Sequence, residues 1–205
     1  MLKAIDFVEK YLVDLQEYAR VHFFPIIMDD SKEKLLNLIK ENKIKNILEI
    51  GTCIGYSGSV ILTNFKDVKM VTIEINPWNV QIAKKTFSDL NLNDRVELVE
   101  CDAFEYIKNT NQKFDLIFLD GPKGQYKNYL PYLINILNLK GFIFADNIYF
   151  KGYVNMSDSE YLRPGIRTMV KNLREYNKLV SIDDKLNSKF YDEGDGICIT
   201  QKIKE

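Results

Sequence analysis

Ile47-Leu48-Glu49-Ile50-Gly51-Thr52-Cys53-Ile54-Gly55-Tyr56-Ser57-Gly58 is a short apolar strand that runs into a glycine-rich turn and then opens a helix. In such a turn the backbone can approach a ligand closely, because glycine puts no Cβ in the way. About 20 residues further on, Glu74 ends a second apolar run, at the place where a carboxylate accepts hydrogen bonds from ribose hydroxyls. The pairing points to an adenosine cofactor. Its glycines are spaced G-x3-G-x2-G, not the G-x-G-x-x-G that seats a pyrophosphate on a helix N-terminus, which disfavours a nicotinamide or flavin dinucleotide. Glu49, just before the turn, would repel a diphosphate but suits the ammonium of a methionine moiety beside a sulfonium. Asp102-Ala103, after a third strand, stands where an adenine amine is read. Each carboxylate taken singly also reads as a helix cap or turn residue, so the combination carries the argument.

Outward from this turn, apolar runs at 45–50, 69–73, 95–100, 114–119 and 141–145 alternate with helical stretches, the pattern of a parallel sheet covered by helices. Asn76 caps and Pro77 opens the helix after the second strand. Before the first strand, Leu2, Ile5, Val8, Leu12, Leu15 and Ala19 recur at helical spacing, predicting helices over 3–22 and 31–42. Beyond Tyr176 two strands are expected, at 178–184 and 195–201, with turn-forming Glu193-Gly194-Asp195-Gly196 before the last. The predicted architecture is a single α/β domain over 1–205: a mostly parallel seven-stranded sheet with helices on both faces, a C-terminal antiparallel hairpin, and residues 1–42 as a helical cover. There is no repeat or linker; the polar stretch Asn155 to Glu160 reads as a flexible loop.

Composition excludes several function classes. With 28 basic against 29 acidic residues the chain has no global pull toward polyanions, so any polyanion site must be local. The charged start and the absence of any spanning apolar run lead to the expectation of a cytoplasmic protein without membrane contact. Cys53, Cys101 and Cys198 lack CxxC spacing and are expected to be free thiols, neither disulfides nor zinc ligands. His22, the only histidine, reads as a packing residue near the end of the first helix, which leaves no histidine-based mechanism.

A second cluster sits at the ends of the fourth and fifth strands, Phe118-Leu119-Asp120-Gly121-Pro122-Lys123 and Phe144-Ala145-Asp146-Asn147. Ligand crevices of open α/β sheets lie at that edge. Asp120, Asp146 and Asn147 offer only hard oxygen donors, which suits Mg²⁺, with Mn²⁺ or Ca²⁺ as alternatives. Singly, each would read as a turn residue. Lys123 would read as a solvated surface lysine but for its spacing from Asp120.

Together these motifs resemble the catechol and caffeoyl-coenzyme A O-methyltransferase superfamily of Rossmann-like class I methyltransferases, over most of the chain. The resemblance implies S-adenosylmethionine as methyl donor, with Glu49-Ile50-Gly51 through Ser57 as the first cofactor motif. It likewise implies Glu74 as the ribose acid, Asp102 and Ala103 at the adenine, Asp120, Asp146 and Asn147 as metal ligands, Asp120 also near the cofactor, and Lys123 as the catalytic lysine. The implied reaction makes physical sense: a metal chelated by two vicinal acceptor oxygens lowers a hydroxyl pKa, Lys123 takes or stabilises the proton, and the oxygen attacks the sulfonium methyl in line.

A closer resemblance is to bacterial transfer RNA (tRNA) 5-hydroxyuridine methyltransferases, carried by Pro25-Ile26-Ile27-Met28, by Asp120 to Tyr126 and by Arg167-Thr168-Met169-Val170. It implies Met28 over the cofactor and 5-hydroxyuridine as acceptor, whose 5-hydroxyl and 4-carbonyl form a chelating pair. Arg167, Lys171, Arg174 and Lys178 fall on one helical stripe, with Arg163 and Lys151 nearby, suited to phosphates but also to an ordinary solvated face. Asp120-Gly121-Pro122 departs from the usual small or aromatic residues before the lysine. A small catechol-like acceptor and a non-catalytic binding protein are the rival readings; the intact Asp120, Lys123, Asp146 and Asn147 set opposes the second. The amphipathic first helix suits a homodimer interface or ordinary packing.

Overall fold

The computed structural model describes residues 2–157 and 162–205. Helices α1 (Leu2–Val21) and α2 (Asp29–Glu41) precede a regular alternation of β1 (Asn46–Ile50), α3 (Tyr56–Asn64), β2 (Lys69–Glu74), α4 (Pro77–Asp89), β3 (Val96–Glu100), α5 (Ala103–Asn109), β4 (Phe114–Leu119), α6 (Tyr126–Ile136) and β5 (Leu137–Asp146). Helix α7 (Pro164–Ile182) then leads into β6 (Leu186–Tyr191) and β7 (Ile197–Lys202).

The strands form one sheet in the order β3-β2-β1-β4-β5-β7-β6. The first five are parallel, and β7 runs antiparallel to β5 and pairs with β6 as a hairpin. Ile50 stands level with Ile73 on one side and Leu119 on the other, and Leu119 with Ala145. The residues that follow β1, β2, β4 and β5 therefore emerge side by side at one edge. The sequence order reverses at β1 and β4, the kind of switch point at which α/β sheets open a crevice.

Alternation along the strands divides the core between the two faces. Leu48, Ile50, Ile117 and Leu119 pack with α5, α6 and α7; Ile47, Leu116 and Phe118 pack with α1 to α4. Phe87 of α4, 1% exposed, fixes the second layer to the glycine turn: a Cβ on Gly55 would lie 3.1 Å from its ring and one on Gly58 3.4 Å. Local signals work where expected, since Asn76 Oδ1 accepts from Trp78 N at 2.9 Å and Pro77 opens α4.

The hairpin corrects one expectation. Residues 178–182 belong to α7, not to a strand, because Val170, Leu173, Tyr176 and Val180 keep helical spacing and are all buried. Leu179-Val180 looks strand-like only when read without that period. Asp183 ends the helix, its Oδ1 accepting from Lys185 N at 2.9 Å, and β6 starts at Leu186. The last strand falls close to its expected place, after a turn closed by Gly196 N donating to Glu193 O at 3.0 Å. His22 is exposed and its ring meets that of Tyr18 at a tilt of 44°, the centroids 4.3 Å apart. All three cysteines are free. Of the stretch read as a flexible loop, Asn155 closes a short 3-10 turn, whereas Asp158 to Glu160 lie outside the described residues. No described helix is long and apolar enough to cross a membrane.

Truncating Phe87 to alanine is expected to lower stability by about 3–5 kcal/mol, read as a lower urea midpoint with an unchanged slope.

Candidate active site

The site is built on a close approach of two backbones. Gly51 adopts φ +106°, and a Cβ there would lie 2.6 Å from the Asp120 carbonyl oxygen. Asp120 N donates to Ile50 O at 3.0 Å, while Gly51 N and Thr52 N both donate to Ile73 O at 3.1 Å. Opposite, a Cβ on Gly121 would stand 2.9 Å from Ile50 Cγ2. Gly121, a departure from the usual pattern at the level of sequence, is thus the residue that lets the β4 turn pass β1. Glu74 ties in the third strand end: its Oε2 accepts from Cys53 N at 2.9 Å, and its Oε1 from Ile75 N at 3.0 Å and Asn76 N at 2.8 Å.

These turns surround a cavity of about 410 Å³. Its wall brings together Gly51, Glu74, Asp102, Ala103, Asp120, Lys123 and Asn147, seven of the residues singled out in the sequence. Asp102 also caps α5, its Oδ1 accepting from Phe104 N at 2.8 Å. Ile75, Asn79, Cys101 and Tyr129 also line the wall and were not legible as site residues beforehand. Only Ile75 left a trace, as an apolar residue directly after the Glu74 carboxylate; Tyr129 reaches the cavity from α6, which carries no motif.

Four expected residues stand elsewhere. Glu49 is fully buried and does not line the cavity. Its Oε1 accepts from Ser57 Oγ and its Oε2 from Thr72 Oγ1, each at 2.5 Å, and Thr72 in turn meets Thr52 Oγ1 at 2.6 Å. Strand alternation turns Glu49 away from Leu48 and Ile50 and toward α3, so Glu49 and Ser57 form the floor of the glycine turn instead of a ligand surface. Met28 precedes α2 and faces a neighbouring groove with Val13, Gln16 and Phe24. Asp146 is 1% exposed and lies behind Asn147.

At the metal candidate, Lys123 Nζ donates to Asp120 Oδ1 at 3.1 Å. Burial raises the Asp120 pKa against the pull of Lys123. Burial and then the Asp120 charge push Asp146 up to about 7, although Asn147 N and Ser31 Oγ donate to it. Asn147 sits at φ +56°, a left-handed conformation that asparagine tolerates better than most residues. Among the described residues there is no cluster of three or more His, Cys, Asp or Glu able to hold a metal. The set is instead two carboxylates and an amide. Asp146, buried and raised further by the Asp120 charge, and half-buried Asp120 have a single ammonium beside them and so lack positive charge, and an all-oxygen donor set fits a hard divalent cation.

The sequence model of the O-methyltransferase family matches residues 5–203. The chain belongs to this family. It is an O-methyltransferase that draws its methyl group from S-adenosylmethionine. It is 28% identical over 200 residues to caffeoyl-CoA O-methyltransferase of Medicago sativa, covering 93% of this chain and 81% of that one. The Eucalyptus gunnii enzyme of the same name is 29% identical over 199 residues, covering 93% and 80%. Among solved structures, a candidate caffeoyl-CoA O-methyltransferase from Staphylococcus aureus superposes with a TM-score of 0.86 at 30% identity, covering 98% of this chain and 100% of that one. The methyltransferase PaMTH1 of Podospora anserina, solved with SAH bound, shares the fold with a TM-score of 0.83 at 24% identity, covering 99% and 94%.

The O-methyltransferase carries exposed Arg163, Arg167 and Lys171 at the start of α7, beside the site. Asn172 Nδ2 donates to Gly124 O at 2.8 Å, binding that helix to the short turn that holds Lys123. Arg174 departs from the expected stripe: it is half-buried and donates to the carbonyls of Val154, Tyr153 and Met156, because its position on α7 turns it under the loop after β5. It staples that loop and is not presented to a phosphate.

Glu49 gives the O-methyltransferase a pH signature. Burial raises its pKa to about 7 from 4.5, so the folded state holds a proton that the unfolded chain releases. Stability is therefore fullest below about pH 4.5 and falls as pH rises to about 7, by roughly 3 kcal/mol from this group. Glu49→Gln should remove that share of the slope, so that melting curves at pH 5 and pH 7.5 lie closer together than for the parent; an unchanged slope would contradict the burial argument.

Proposed function

We propose that this O-methyltransferase uses a divalent cation, Mg²⁺ foremost with Mn²⁺ or Ca²⁺ as substitutes, to methylate a hydroxyl that neighbours a second oxygen. The proposed acceptor is 5-hydroxyuridine in tRNA, giving 5-methoxyuridine. The observation that carries the reading is the shared wall of Gly51, Glu74, Asp120, Lys123 and Asn147 around one cavity. Glu74 accepts from the ribose hydroxyls, Asp102 and Ala103 border the adenine, and the turn at Gly51 lets the backbone approach the methionine end. Asp120, Asp146 and Asn147 would hold the cation, and a bound cation would supply Lewis acidity that lowers the pKa of the acceptor hydroxyl. Lys123, beside Asp120, takes the hydroxyl proton or holds the negative charge that develops on the oxygen. The remaining rate comes from holding acceptor oxygen and methyl carbon in line.

Exposed Arg163, Arg167 and Lys171, fixed next to the lysine turn through Asn172, favour an acceptor that brings phosphates. A small catechol-like acceptor is the second reading, favoured by the caffeoyl-CoA named in the relatives. Exposed Phe7, Val13, Tyr18 and Val21 on α1, with Phe23 just beyond it, suit a homodimer. Light scattering at twice 24.0 kDa checks it, and a mass of 24.0 kDa at micromolar concentration overturns it.

Labelled S-adenosylmethionine and Mg²⁺, supplied with hypomodified tRNA bearing 5-hydroxyuridine or with a panel of catechols and caffeoyl-CoA, separate the acceptors. Label in the tRNA is expected; label only in a small molecule selects the second reading. Asp146→Ala or a chelator should reduce transfer by at least about 100-fold, whereas full activity in both sinks the metal role.

A further inference from the structure

Ser31 lies in the first turn of α2 and is fully buried, yet its hydroxyl does not bond back to its own helix. It reaches 115 positions along the chain, Oγ donating to Asp146 Oδ1 at 3.2 Å. Asn147 N donates to the same oxygen at 2.9 Å. Among the described residues nothing donates to Asp146 Oδ2. The two donors therefore occupy one oxygen and leave the other as the free lone-pair face of a carboxylate that is almost wholly out of water.

The surroundings keep Ser31 in place. Gly194, at φ +61° in the turn before β7, passes so close that a Cβ there would collide with Ser31 Oγ. Gly194 N donates to Asp30 Oδ2 at 3.3 Å, and Lys34 pairs with Glu193 at 2.7 Å while its Nζ lies 3.8 Å over the Tyr191 ring. The start of α2 is thus docked on the terminal hairpin, and through Ser31 that docking ends on Asp146.

We infer that Ser31 is a positioning residue for the cation site: its hydroxyl, held by the α2 and hairpin contact, fixes the Asp146 carboxylate so that Oδ2 is presented as the ligand oxygen. The inference rests on the metal reading above. Groups that orient a ligating carboxylate typically change metal affinity by about 10- to 100-fold when removed, and Ser31 meets that description by geometry. Gly194 belongs to the same device, because any side chain there displaces the hydroxyl.

Calorimetric titration of Mn²⁺ into the full-length protein with SAH present, followed by Mg²⁺ dependence of turnover, tests it. For Ser31→Ala the Mn²⁺ Kd should rise about 10- to 100-fold, with the KM for Mg²⁺ rising in parallel and kcat at saturating Mg²⁺ changing by less than about threefold. Gly194→Ala should weaken Mn²⁺ in the same direction. SAH affinity measured without metal reports whether each variant is folded and should match the parent, since neither residue lines the cofactor cavity. A parent that binds Mn²⁺ alongside a Ser31→Ala protein of equal Mn²⁺ affinity overturns the role of Ser31 and leaves the metal reading standing. A parent that binds no Mn²⁺, or binds it equally after Asp146→Ala, overturns both.

Discussion

The approach of the Gly51 backbone to the Asp120 carbonyl is the constraint on which the rest of the site depends. Strands β1 and β4 are paired in register up to Ile50 and Leu119, so the residues that follow them have to leave the sheet through the same narrow space. A side chain at either Gly51 or Gly121 would close that space. Because both are glycine, the turn after β1 and the turn that bears Asp120 and Lys123 share the wall of one cavity. Catalysis by orientation needs this adjacency more than it needs any single group.

Three acids surround that contact, Glu49 and Asp146 buried and Asp120 half-buried, and all are raised above their ordinary pKa, chiefly by desolvation. In an ordinary core they would be a liability, since a buried charge destabilises the fold unless it is paired. Glu49 is satisfied by the hydroxyls of Ser57 and Thr72 and acts as scaffolding for the glycine turn. Asp120 lines the cavity and Asp146 lies buried beside it with one lysine near the pair, an electrostatic deficit of the kind that clusters at functional sites. The fold thus concentrates its unfavourable electrostatics at one end of the sheet.

Helix α7 combines a buried packing face with a charged, solvent-exposed start. Its buried stripe of Val170, Leu173 and Tyr176 completes one layer, Asn172 holds the turn of Lys123, and its exposed start presents Arg163, Arg167 and Lys171. Arg174, on the same helix, is consumed by backbone carbonyls. Charge at helical spacing therefore did not tell which cations of α7 face solvent.

The sequence by itself determined the layered sheet, the glycine turn, and the carboxylates and amide at the strand ends, because these follow from local periodicity, turn chemistry and strand-end position. It misjudged the end of α7, where apolar residues at helical and strand spacing overlap over a few positions and only packing against the sheet decides between them. What the tertiary structure alone decided is orientation. Whether Glu49 faces ligand or floor depends on which layer its strand face meets, whether Met28 lies over the cavity depends on where α2 docks, and the link from Ser31 to Asp146 joins segments that nothing in the linear order brings together. Residue type and spacing are local properties and can be read along the chain; which side of a carboxylate is left without a donor is set by elements distant in sequence.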